Sequence, residues 1–175
     1  PVIRASGEKD KIAPWQIAER NDPVMELNAP RPDFQGALYQ FLIGLLQTCY
    51  APADPDEWLE KWEEPPEERV LRAKLMTVAL AFGLEECEKE FSSVHLFMQE
   101  HSLTDAEKKG VAALLIEAPG DKTIRDNLDH FIKRDKVVNM CQPCAAMALF
   151  TLQLNAPSGG VGHRVGLRGG GPLTT

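Results

Sequence analysis

The chain has 175 residues, 43% hydrophobic and 26% charged, with a net charge of −7. That composition excludes a disordered or collagen-like chain and supplies one globular domain with enough apolar material for a core. No apolar stretch reaches transmembrane length and no signal-peptide pattern opens the chain, so a cytoplasmic protein without membrane contact is expected. Residues 1–120 hold 12 Lys and Arg against 22 Asp and Glu, whereas residues 157–175 hold two arginines and no carboxylate. Only the C-terminal third suits an anionic partner.

The elements in chain order predict an α+β fold, mostly helical, with short strands near the N-terminus and after a C-terminal glycine loop. Pro1–Arg4 and Lys11–Ala13 flank Ser-Gly-Glu-Lys-Asp, a hairpin-like pattern. A helix starts at Pro32-Asp33, with Asp33 as a candidate N-cap. Its apolar residues Phe34, Ala37, Leu38, Phe41, Leu42, Leu45, Leu46 and Cys49 recur at three- and four-residue spacing. Asp54-Pro55 opens a short helix bearing Trp58, Leu59 and Trp62, whose tryptophans read as packing groups rather than a base-stacking platform. A third helix is expected over about 66–82, with Val70, Leu71, Leu75, Val78, Ala79 and Phe82 on one face and Gly83 at C′. The Glu-rich stretches at 63–68 and 85–90 read as solvated helix faces.

Thr104 to Glu107 form a capping box for a helix ending near Glu117. Residues 118–136 form a helix or a long ordered loop. An uncharged run, Val137 to His163, follows, and its centre MCQPCAAMALFTLQLN predicts a buried helix feeding into a glycine-rich loop over 157–171. Seven of the thirteen glycines fall in the last nineteen residues, with Arg164 and Arg168 among them. Glycine lets backbone N–H groups approach a ligand closely, and clustered N–H groups beside arginines make a concavity suited to phosphate. Pro1 stands where an initiator Met is expected, and Gly-Pro-Leu-Thr-Thr at the end reads as the opening of a strand. A fragment of a longer protein is therefore expected, with residues 1–175 as a single domain.

Cys141 and Cys144 have the spacing of half a zinc site or of a redox dithiol, and buried thiols are the third alternative. Cys49 and Cys87 stand alone within helical segments and read as core cysteines. The glycine run matches neither the Walker pattern nor GxGxxG, which argues against nucleotide hydrolysis. His163 lacks a nearby carboxylate to orient it as a general base, and no catalytic residue is assigned.

The run CQPCAAMALFTLQLNAPSGGVGHRVGLRGGGPLTT, with Phe97-Met98-Gln99, Ile116 to Gly120 and the Arg31-Pro32-Asp33 helix start, resembles the N-terminal domain of the CasA family. That family is the large subunit of Cascade, the type I-E CRISPR surveillance complex. The resemblance implies that Ser158, Gly159, Gly160, Val161 and Gly162 enter the minor groove of target double-stranded DNA at the protospacer-adjacent motif. Arg164 and Arg168 then grip adjacent phosphates, or pair with acidic residues of the domain. It also implies that a loop with His130, Phe131, Lys133 and Arg134 approaches the crRNA 5′ handle and other Cascade subunits, and that a helicase-nuclease is recruited. Cys141 and Cys144 would be two of four zinc ligands, completed by a downstream CxxC that this chain lacks, as it lacks the family's C-terminal helical bundle. Two other classes are a phosphate- or nucleotide-binding enzyme using the glycine loop and a zinc-stabilised protein scaffold.

Overall fold

The structure, a computed structural model, describes residues 1–78, 97–98, 109–128 and 137–155. They fall in two compact units, one within Pro1–Phe97 and the other within Met98–Thr175. Helices dominate, and the described residues include one small sheet, which makes the fold the mostly helical α+β class expected.

The sheet has strand order β2-β1-β3, built from β1 (Val2–Arg4), β2 (Lys9–Asp10) and β3 (Val24–Leu27), all antiparallel. Its hairpin closes early because Gly7 takes φ +85°, a conformation glycine reaches without strain, and donates its N–H to the Arg4 carbonyl at 2.9 Å. Val2 therefore faces Asp10 and Ile3 faces Lys9. The returning strand is Lys9–Asp10, not Lys11–Ala13, which leads instead into a 3₁₀ helix at Pro14–Ala18. Strand β3 has no counterpart in the sequence reading, since four residues, although bounded by Asn21-Asp22-Pro23 and Asn28-Ala29-Pro30, give too little alternation to recognise.

Arg4 stitches this region together. Its guanidinium, about one-tenth exposed, donates to Asp10 Oδ2 at 2.8 and 3.0 Å, Glu19 Oε2 at 2.9 Å and the Asp22 carbonyl at 2.8 Å. The Asp22 carboxylate accepts from the Ser6 hydroxyl at 2.8 Å and the Ser6 N–H at 2.9 Å. Arg4 holds the Asp10 carboxyl below its usual range, and the two Ser6 donors do the same for Asp22.

Helix α1 runs Pro32–Tyr50 and buries Phe34, Ala37 and Leu45, while Leu38, Phe41, Leu42, Leu46 and Cys49 are half-buried. The periodic stripe is thus the inward face. The N-cap is Arg31 rather than Asp33, because Pro32 occupies the first helical position and leaves Asp33 inside the first turn. There Asp33 takes a forked pair of bonds from Arg31 at 2.9 and 3.0 Å. Burial pushes its carboxyl up, but Arg31 overrides that and holds it below the ordinary value. Gln35 clamps β3 to the helix, accepting from Ala29 N–H at 2.7 Å and donating to the Leu27 carbonyl.

Helix α2 (Pro55–Glu63) begins as expected, with Asp54 as N-cap accepting from Glu57 N–H at 2.8 Å and Pro55 in the first turn. Its tryptophans depart from the packing role. Trp58 and Trp62 are 53% and 71% exposed and stack on each other, centroids 5.7 Å apart and planes 10° from parallel. An eight-residue helix, α3 (Glu68–Leu75), follows and ends in a turn at Met76–Val78; residues 79–83 lie outside the described region. Leu71 and Leu75 form a buried cluster with Leu45, backed by Trp15, Ile17, Phe41, Cys49 and Val78. Val70 is off that face and exposed, since it precedes Leu71 by one residue, roughly 100° around the helix.

In the second unit, Gly110 is extended (φ −64°, ψ 153°) and caps a 3₁₀ helix at Val111–Leu114. That breaks the helix expected to run to Glu117, whose start at 104–108 lies outside the described residues. Within 118–136 a five-residue helix, α4 (Asp121–Arg125), forms and ends with Asn127 at φ +55°. Helix α5 (Gln142–Asn155) takes the uncharged run as predicted, burying Met147, Ala148 and Thr151. Among the described residues the buried Thr151 hydroxyl meets no hydrogen-bond partner.

Candidate functional site

The uncharged sequence from Val137 onward makes α5 an apolar helix, and its two ends carry the candidate chemistry. At the start, the Cys141 carbonyl accepts the first helical bond, from Ala145 N–H at 2.9 Å. This places Cys141 at the N-cap and Cys144 three residues into the first turn. Cys141 is exposed and Cys144 half-buried. Two cysteines three residues apart at the start of the helix have the spacing of two ligands of a tetrahedral zinc site. Among the described residues no group of three or more His, Cys, Asp or Glu is arranged to hold a metal.

At the other end, Asn155 closes α5 three residues before Ser158. Ser158, Gly159, Gly160, Val161, Gly162, Arg164 and Arg168 lie outside the described residues, as do His130, Phe131, Lys133 and Arg134 and the strand expected after the glycine loop. What is described is the chain that leads into each segment. Asn127, in the left-handed region with its N–H bonded to the Ile124 carbonyl at 3.1 Å, ends α4 just ahead of the His130 to Arg134 segment. Asparagine tolerates this conformation because its short amide bonds locally. Arg125 beside it is 76% exposed on its side chain and sits 3.7 Å from Asp126.

Of the other cysteines, Cys49 packs half-buried against the Leu45, Leu71 and Leu75 cluster, as a core cysteine, and Cys87 lies outside the described residues. No helix among the described residues is long and apolar enough to cross a membrane. Two features escape sequence reasoning. The Arg4 hub joins partners 6, 15 and 18 residues away, and a lone arginine in a short strand carries no signal of them. The exposed tryptophan pair had a usable signal in its i, i+4 spacing between carboxylates, which places both rings on a solvated face.

Neither a curated protein nor a solved structure gives a significant match to the chain. The family model described as CRISPR-associated protein Cse1 matches residues 1–174, taking in the small sheet, both helical units, the CxxC and the glycine-arginine run. A match over that span carries every stretch on which the CasA resemblance rests, and the chain belongs to the Cse1 (CasA) family of type I-E CRISPR Cascade subunits.

Proposed function

We propose that this Cascade subunit is non-catalytic and reads the protospacer-adjacent motif of target double-stranded DNA with Ser158 to Gly162, promoting target binding and helping to recruit the helicase-nuclease. The observation that carries this reading is the glycine-arginine run itself, 157–175, with no carboxylate in a chain of net charge −7. The minor groove presents a degenerate set of acceptors broken by the guanine amino group, so small residues that fit by shape tolerate several motifs. Mounting such a loop on the end of a part-buried helix supports it, because a rigid base limits drift of the tip. Arg164 and Arg168 hold phosphates on either side. Phe131, with His130, Lys133 and Arg134, faces the crRNA 5′ handle and the neighbouring subunits.

The phosphate grip has its own signature. Replacing both Arg164 and Arg168 with Gln in the reconstituted complex reduces the slope of log affinity against log salt by about 2, with motif preference retained. An unchanged slope removes the arginines from the DNA.

Cys141 and Cys144 supply two of the four ligands of a structural zinc, which pins the start of α5 when bound. Zinc content of the purified full-length subunit should be close to one per chain and fall for Cys141→Ser; metal-free wild type sinks the assignment.

A further inference from the structure

Helix α4 (Asp121–Arg125) ends in a specific reversal of the chain. Asn127 takes φ +55°, and two hydrogen bonds close around it. Its own N–H donates to the Ile124 carbonyl at 3.1 Å, and the Leu128 N–H donates to the Thr123 carbonyl at 2.8 Å. These are the two bonds of a Schellman cap, with Asn127 in the place usually held by glycine. A left-handed residue crowds its Cβ against the following carbonyl, and asparagine is the residue that, after glycine, bears this best. Such a cap commonly gains an apolar contact between its last residue and the final helical turn. Here Leu128 is 59% exposed, and Lys122, Arg125 and Asp126 are exposed as well. The reversal is therefore held by the conformation of Asn127 and by backbone bonds, on a helix of five residues that is too short to fix a direction by itself.

The chain that leaves this turn runs to His130–Arg134. Asp129 alone separates Leu128 from His130. Three residues of chain reach at most about 11 Å, so Phe131 is tethered within that distance of Leu128. The direction in which this short tether starts is set at residue 127. Left-handed dihedrals carry the chain across the end of α4, whereas the extended dihedrals that a β-branched residue prefers would send it along a different line.

We propose that Asn127 is a positioning residue for entry of the subunit into Cascade: its left-handed cap aims the His130–Arg134 segment at the crRNA 5′ handle without touching the RNA. The role rests on the reading of that segment as crRNA-facing. A segment that starts along the binding-competent path only part of the time binds more weakly by that fraction, so a preset exit strengthens docking.

Binding of the full-length subunit to the crRNA-loaded remainder of the complex, followed by biolayer interferometry, tests the role. Asn127→Val, whose branched Cβ resists the left-handed region, is expected to bind about tenfold more weakly. Asn127→Gly, which enters that region freely, should bind within about threefold of wild type. Urea midpoints of both variants stay those of wild type, because an exposed cap on a short helix opens locally. On a Phe131→Ala background, itself weaker, Asn127→Val should cost little more, since it acts through the segment. Wild-type binding by Asn127→Val beside a weakened Phe131→Ala overturns the proposal and leaves the role of the segment intact. Wild-type binding by Phe131→Ala overturns the reading of the segment, and the positioning role with it. A loss for Asn127→Val that is undiminished on the Phe131→Ala background, or that Asn127→Gly shares in full, also overturns it. The residue would then act by folding or by side-chain contact rather than by backbone direction.

Discussion

Gly160→Asp, assembled into the reconstituted complex, is expected to lower affinity for a duplex with a permitted motif on the order of a hundredfold, to the level of a forbidden motif. Two effects act together. On the proposed reading, a Cβ at residue 160 would fill space through which backbone approaches the groove, and the carboxylate would meet phosphates in a run that otherwise has no acid. Gly160→Ala separates them, since it adds the Cβ without the charge and should fall between wild type and Gly160→Asp. A gel-shift series with permitted and forbidden duplexes reads all three. Discrimination by Gly160→Asp equal to that of wild type would mean that the glycines only turn the chain, which is the scaffold reading.

Leu71→Ala should cost the first unit about 3 kcal/mol of stability. Leu71 is 2% exposed at the centre of the cluster with Leu45 and Leu75, where α3 packs against α1 and the 3₁₀ helix at Pro14–Ala18. Removing its branched end leaves a cavity that three elements must collapse to fill. The neighbouring Val70→Ala, at a site 39% exposed, should change stability by less than about 0.5 kcal/mol. Urea unfolding of both variants tests the pair: a large shift of midpoint for Leu71→Ala at unchanged slope, and nearly none for Val70→Ala. Similar midpoints for the two would place the core elsewhere.

Long periodic segments were the legible part of the fold. The α1 stripe from Phe34 to Cys49 is the buried face, and the uncharged run forms α5, because helix burial repeats at a period visible in one sequence. Short elements were harder. Strand β2 slipped by two residues since Gly7, rather than the charged residues after it, closes the turn, and β3 exists through its pairing with β1. Gly110 starts a 3₁₀ helix at Val111–Leu114 within the span expected to be helical to Glu117, because a capping box is only local information. Capping preference points to Asp33 as the cap of α1, yet Pro32 at the first helical position puts the start two residues earlier. As for the site, the glycine-arginine run and CxxC are legible because composition and spacing announce them. The exposure of Trp58 and Trp62 had a signal in their i, i+4 spacing between carboxylates, which the general preference of tryptophan for packing outweighed.

The geometry of α5 sets how far Cys141 and Cys144 can influence the segment that follows Asn155. Fourteen helical residues span about 21 Å, with Cys141 bonded at one end and Asn155 at the other. If Cys141 and Cys144 hold zinc and residues 158–162 face DNA as proposed, removing the metal acts on that segment only by loosening the first turn of α5. Loss of zinc should then appear as slower or less uniform target capture at an unaltered motif preference, the behaviour of a probe whose handle has been released.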